Sequence, residues 1–272
     1  MTTIRSAAND HYRNLLRLGG SARERRRSAQ TVIEGIHLIE AYLDRYGDLR
    51  TMFVPERALA LPEHAALIAR QARGPTVLAD SLFERASQVG HGNGPLAVID
   101  VPVLTLPEII ACDAVYLDRI QDPGNLGTIL RTCAAVGVST VMLSPEATPA
   151  WSPKALRAGM GAHFHLQIHE EVPATIFGKR VRVELLGLRA DDAQCLYDVD
   201  LLAPVVWLLG NEGAGLAGEL LALPGARAVS IPQEASAVES LNVATAAAVA
   251  LYEQFRQRRV AAADAATRSE VV

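Results

Sequence analysis

The chain has 272 residues, half of them hydrophobic and 21% charged, which excludes a disordered or low-complexity protein and leaves enough apolar material for a sizeable core. A formal net charge of -4 excludes a uniformly basic polycation. Arginine is nevertheless concentrated near the start (Arg5, Arg13, Arg17, Arg23, Arg25, Arg26, Arg27) against only Asp10 and Glu24, which reads as a basic arm on a mildly acidic body.

In chain order, helical periodicity around Tyr12, Leu15, Leu16 and Leu18 gives way to a short strand, TVIE. IHLIEAYL follows and puts Ile36, Ile39 and Leu43 on one helical face. RTMFV and PTVLA read as β-rich runs, SLFERASQV as a helix capped by Ser81, and PLAVIDV as a last strand. Together these make a compact α/β unit of ordinary domain size. The proline-marked stretch VPVLTLPEIIACD reads as a linker, and a boundary near Val103 gives domains 1–102 and 103–272.

From Asp113 the strands are continuous apolar runs: AVYL, VSTVML, HFHLQI, RVELLGL, VVWLL and AVSI. Strands apolar on both faces mark a mostly parallel sheet covered by helices. Residues 126–136 and 172–177 read as helices between them. The last helix places Leu241, Ala244, Ala248, Leu251, Tyr252 and Phe255 along one stripe. Its small residues Ala246, Ala247, Ala248 and Ala250 admit a close neighbour, in a dimer or on the sheet. After Arg258 no stripe continues, and the tail is expected to fray.

Cys112, Cys133 and Cys195 form no C-x-x-C pair, so neither a disulfide framework nor a zinc site is suggested. The first residues lack an apolar leader-like core and no apolar run is long enough to span a bilayer, so a cytoplasmic protein without a membrane anchor is expected.

Ligands of open α/β sheets bind outside the carboxyl ends of strands, and the turns found there carry the polar candidates. Asn125 lies in DPGNLG, where Pro123 and Gly124 make a turn that opens a helix. Arg131 follows six residues later, where its guanidinium can meet a phosphate drawn by the helix N-terminus. A plain turn residue and a surface ion pair are the bland alternatives. GNEGAGL, directly after a buried strand, is neither a Walker loop nor G-x-G-x-x-G, but its glycines permit positive φ and close backbone approach. Glu212 within it is either a carboxylate stabilised by a helix macrodipole or a polar anchor in the site. Ser240 reads as the N-cap of the last helix, with Asn242 in its first turn. His163, His165 and His169 alternate along an expected strand and suggest no metal site.

Taken together, DPGNLGTILRTCAAVG, LLGNEGAGL and SIP…ESLNVATAAAVALYE closely resemble the three ordered motifs of the SpoU family of RNA ribose 2′-O-methyltransferases, in the SPOUT superfamily. The resemblance runs through SPKALRAGMGAHFHL. It also takes in TVIEGIHLIEAYL and GPLAVID, which are similar to the small RNA-binding domain that many members carry. It implies a C-terminal sheet threaded into a deep trefoil knot, a homodimer, and S-adenosylmethionine held by backbone groups at Gly210, Ile231 and Leu241. It further implies methyl transfer to a ribose 2′ oxygen, with Arg131 gripping the adjacent phosphate and Asn125, Glu212, Ser240 and Asn242 shaping the pocket, without a metal. Arg13, Arg17, Arg23, Arg25, Arg26 and Arg27 would supply salt-dependent RNA affinity. The separate N-terminal domain favours large-subunit ribosomal RNA over transfer RNA, and a non-catalytic dimeric RNA-binding scaffold is the alternative of a different class. The chain departs from the family pattern at Gln233 in place of methionine, at Gly159 in place of serine, and in a longer loop from Ile231 to Leu241.

Overall fold

The computed structural model describes residues 2–89, 94–190, 193–234 and 240–269. The chain divides into two compact units, Met1–Val103 with Pro149–Phe164, and Leu104–Thr148 with His165–Val272.

The first unit contains β1 (Thr2–Ile4), α1 (Asp10–Gly20), α2 (Ala22–Ser28), β2 (Gln30–Glu34), α3 (Ile36–Tyr46), β3 (Thr51–Pro55), α4 (Pro62–Ala69), β4 (Thr76–Leu78), α5 (Asp80–Ala86) and β5 (Leu96–Asp100). Its sheet has the order β1-β4-β3-β5-β2, with β5 antiparallel to both neighbours and the other pairs parallel. Tyr12, Leu15 and Leu18 form the inner face of α1 and join Phe53, Phe83 and Leu96 in the core. Ser81 was expected as a cap, but α5 begins at Asp80 after Ala79, so the serine lies inside the first turn. The helix α4, absent from the sequence expectations, starts with Pro62 at its first position, where a missing N–H costs nothing.

The arginine-rich segment is two capped helices, α1 and α2. Asn9 Oδ1 accepts from the His11 and Tyr12 amides at 3.0 and 3.3 Å, and Ser21 Oγ accepts from the Glu24 amide at 3.3 Å. Arg13, Arg17, Arg23, Arg26 and Arg27 are exposed. Arg25 corrects the expectation for this group: it is buried, and its Nη1 donates to the carbonyls of Leu18 and Gly19 at 2.8 and 3.3 Å, satisfying the C-terminal end of α1.

The chain continues with β6 (Ala114–Leu117), α6 (Pro123–Val136), β7 (Thr140–Leu143), α7 (Pro153–Gly159), β8 (Gln167–His169), α8 (Ala174–Arg180), β9 (Glu184–Arg189), β10 (Gln194–Cys195), β11 (Val205–Leu209), α9 (Gly218–Leu221), β12 (Ala226–Ser230) and α10 (Val243–Ser269). All of these except α7 belong to the second unit. Its seven-stranded sheet runs β10-β12-β9-β11-β6-β7-β8, and every pairing is parallel. The central strands β6, β7 and β11 are buried along their whole length, as both-faced burial requires of apolar runs.

Three expectations for this half need correction. His163 and His165 lie in a 3-10 turn, Ala162–His165, and only His169 of the three histidines is in a strand. His163 is buried, with its Nε2 2.9 Å from the Ala150 carbonyl and its ring edge against Trp151, and burial pushes its pKa down to about 4. The buried side of α10 is Ala244, Ala247, Ala250 and Leu251, whereas Tyr252 and Phe255 face outward and Leu241 precedes the helix.

The third correction is the tail, which stays helical through Ser269. Trp207 Nε1 donates to Gln254 Oε1 and Gln254 Nε2 donates to Asp113 Oδ1, both at 2.8 Å. Arg258 pairs with the same Asp113 and donates to the Leu201 carbonyl at 2.9 Å. Beyond that anchor the alanine-rich sequence has a high helix propensity of its own. Among the described residues, no helix is long and apolar enough to cross a membrane.

Candidate functional site

The strands β6 and β11 are parallel neighbours, with Leu117 in register with Leu209. Their carboxyl ends therefore lie side by side, and the turn into α6 meets the Gly-rich loop. Asp118, the first residue after β6, is 4% exposed, so its charge needs partners. It accepts from Arg119 Nε and Nη2 at 3.0 and 2.9 Å and from the Ala217 amide at 2.9 Å. Arg119 Nη2 also donates to the Gly215 carbonyl at 3.2 Å, and the Arg119 carbonyl accepts from Asn211 Nδ2 at 2.8 Å. The Arg119 backbone has φ of 55°, a left-handed conformation costing a side-chain-bearing residue about 1–2 kcal/mol.

The Gly-rich loop closes on itself. Asn211 and Gly215 exchange backbone hydrogen bonds at 3.1 and 2.9 Å, and Asn211 Oδ1 accepts from the Gly213 and Ala214 amides at 2.9 and 2.8 Å. Gly215 has φ of +66°. At Gly210 an added Cβ would lie 2.3 Å from both Gly215 C and Leu216 N, so only glycine fits. The first glycine thus serves the loop's own crossing, and the last its turn.

Asp122 caps α6, its side chain accepting from the Asn125 amide at 2.9 Å. Glu212 reaches across from the Gly-rich loop to the same helix start. Its Oε2 accepts from the Gln121 amide at 3.1 Å, and its Oε1 accepts from the Asp122 amide at 3.2 Å and from Asn125 Nδ2 at 3.1 Å. Partial burial pushes the Glu212 pKa up, but the Asn125 amide and the backbone N–H groups outweigh it and hold the carboxyl below its ordinary value. The positive end of the α6 dipole acts in the same direction. Asn242 Nδ2 donates to Asn125 Oδ1 at 3.0 Å, while Asn242 Oδ1 accepts from the Ala244 and Thr245 amides at 2.9 and 3.3 Å. Asn242, and not Ser240, is therefore the cap of α10. A chain of hydrogen bonds, Glu212 to Asn125 to Asn242, joins three segments remote in sequence.

Beside this chain lies a cavity of about 700 Å³, within the range of roughly 300–1,000 Å³ usual for small-molecule sites. Gly210, Ile231 and Leu241 line it, as do Glu212, Ser240 and Asn242, with Leu209, Leu216 and Val243 among its apolar walls. Gln233 also lines it, and the middle of the 231–241 loop lies outside the described residues. Among the described residues, Asn125 is tied to this wall through Glu212 and Asn242. Arg131 is not drawn into the cluster: it stands exposed on α6, six residues and about 9 Å of helix rise beyond Asn125. Sequence reasoning missed Asp118, Arg119 and Asn211. A charged pair directly after a fully apolar strand was the available signal, because a carboxylate at that place is buried and must be matched. Among the described residues no group of three or more histidine, cysteine, aspartate or glutamate side chains is disposed to hold a metal ion.

The SpoU rRNA Methylase family model matches residues 114–252. An uncharacterized tRNA/rRNA methyltransferase of Synechocystis is 33% identical over 95% of this chain and 95% of its own length. The 23S rRNA (guanosine(2553)-2′-O)-methyltransferase RlmP of Bacillus subtilis is 28% identical over 93% of this chain and 98% of its own. Among solved structures, the SpoU methyltransferase AviRb of Streptomyces viridochromogenes, crystallised with the cofactor AdoMet, superposes with a TM-score of 0.79 at 27% identity. That match covers 93% of this chain and 100% of that one.

Proposed function

The chain belongs to the SpoU rRNA Methylase family, and from that premise we propose that it transfers a methyl group from S-adenosylmethionine to a ribose 2′-hydroxyl of RNA, with large-subunit ribosomal RNA as substrate. The observation that carries this reading is the hydrogen-bonded chain from Glu212 through Asn125 to Asn242, which joins three separate segments beside a cavity lined by its two ends. The residues present fit the donor. Apolar side chains at Leu209, Leu216, Ile231 and Leu241 suit a nucleoside, and the Gly-rich loop exposes backbone to it. Glu212, held ionised, puts negative charge on the wall of a cavity that takes a cation.

When bound, S-adenosylmethionine supplies an electrophilic methyl group for in-line displacement. The protein's own contribution is to align two reactants, an effect worth about 7–11 kcal/mol in favourable cases. Gly210, Ile231 and Leu241 hold the donor, while Glu212, Asn125 and Asn242 keep the three segments in register around it. Arg131 grips the phosphate next to the target ribose and places the hydroxyl. An arginine stays protonated, so its role is orientation and charge stabilisation, with a base role as the competing account.

The same reading makes the protein a homodimer, supported by the exposed Tyr252 and Phe255 rings on α10, 6.2 Å apart, and by the outward position of Arg131. It includes the deep knot, an RNA-binding role for the exposed arginines of α1 and α2, and a reducing cytoplasmic setting, in keeping with three free cysteines.

The test combines calorimetry with S-adenosylmethionine and mapping of 2′-O-methyl groups in ribosomal and transfer RNA from cells with and without the protein. One missing methyl in large-subunit RNA is expected. A missing methyl in transfer RNA instead would move the substrate, and failure to bind the donor would favour the scaffold. Arg131→Ala is expected to abolish methyl transfer with donor affinity unchanged; normal turnover would remove Arg131 from the site.

A further inference from the structure

We propose that Arg119 is a positioning residue for methyl transfer: with Asp118 it clamps the Gly-rich loop, residues 210–217, in the shape that accepts the donor. This rests on the cavity being the donor site. Neighbouring residues in an extended chain point to opposite sides, yet the Arg119 guanidinium meets the carboxylate of the residue just before it through two nitrogens, at 3.0 and 2.9 Å. The left-handed backbone at Arg119 turns the side chain back and makes that possible. Its amide is held in turn by Ser144 Oγ at 2.9 Å. Unfavourable backbone geometry persists where surrounding contacts determine it, and it gathers at working sites.

The pair reaches the loop at two points close to its far end. Arg119 donates to the Gly215 carbonyl at 3.2 Å, and Asp118 accepts from the Ala217 amide at 2.9 Å. At the near end Asn211 Nδ2 donates to the Arg119 carbonyl at 2.8 Å. Between those points Glu212 to Gly215 are exposed, and the cavity wall runs through them from Gly210 to Leu216. The loop therefore takes its shape from a buried charge, Asp118, that lies outside the cavity lining. Lysine offers a point charge without the planar fork, so it can match one acceptor and not the set.

Amide hydrogen exchange on the full-length, ligand-free protein tests the clamp. In Arg119→Gln, exchange at residues 213–217 is expected to quicken by about tenfold or more, the scale of losing a charged hydrogen bond, while α10 amides keep their wild-type rates. The donor Kd should weaken similarly. KM for S-adenosylmethionine should rise with kcat and RNA affinity held, and Arg119→Lys should recover part of the loss. If Arg119→Gln fails to fold, Arg119→Lys and Asp118→Asn carry the same readouts. Unchanged loop exchange and donor affinity would overturn the proposal, as would a fall in kcat at constant donor KM. A wild-type protein that binds no donor, but whose loop exchange responds to the substitution, would leave the clamp standing and remove the donor reading of the cavity.

Discussion

Glu212 is the residue through which the site's polar order is most directly tested. Its carboxyl lies below the ordinary value of 4.5 in the folded protein because, although burial disfavours the ionised form, Asn125 and three backbone amides favour it more. A group depressed on folding contributes stability in full above its unfolded pKa and loses it as pH falls through the folded value. Glu212→Gln should therefore lower Tm at neutral pH, and the difference from wild type should vanish as the solution is taken well below pH 4.5. Thermal melts of both proteins across pH measure this, and a pH-independent difference would mean that packing and not charge is responsible. Glu212 was legible as either a helix-entry carboxylate or a polar anchor in the site, and the structure puts its carboxylate at the start of α6 with the residue on the cavity wall. Ser240 was legible as the cap, with Asn242 in the first turn, but α10 begins one residue after Asn242 and so Asn242 caps it.

The Gly-rich loop is the element on which the cavity depends. Its spacing after an apolar strand was readable, but the reason for its first glycine was not. Gly210 admits no Cβ because the chain crosses back over it at Gly215 and Leu216, a proximity visible only once the loop is closed. Gly210→Ala should force that crossing apart at a cost of about 1–3 kcal/mol, as overpacking does, and should weaken donor binding. Urea unfolding and calorimetry check the two effects, and wild-type stability in this variant would show that the loop opens freely. At the same scale, α10 was expected to bury Tyr252 and Phe255 and to fray after Arg258. Helical periodicity allows more than one face to be chosen. Here the polar partners Gln254 and Arg258, pinned to Asp113, chose it and held the helix beyond Arg258.

At the scale of the molecule, the exposed arginines of α1 and α2 form the surface on which RNA binding is expected. Replacing Arg13, Arg17, Arg23 and Arg26 by alanine in the full chain should weaken RNA binding. The slope of log affinity against log salt should also shrink by about 0.7–0.9 for each phosphate that is no longer neutralised. Filter binding across salt concentrations measures it, and an unchanged slope would mean that other residues meet the phosphates. Full-length variants are the sound choice because Pro149–Phe164 belongs to the same compact unit as Met1–Val103, so truncation at 102 would strip α7 of its partners. Sequence alone determined the α/β class, the parallel sheet and the family, because strand burial and short motifs are local patterns. It left open the inward turn of Arg25, the clamp at Arg119 and the face of α10. The last two depend on polar groups finding partners far along the chain, buried Asp118 with Ala217 and half-buried Asp113 with Arg258, and only the closed fold brings such partners within reach.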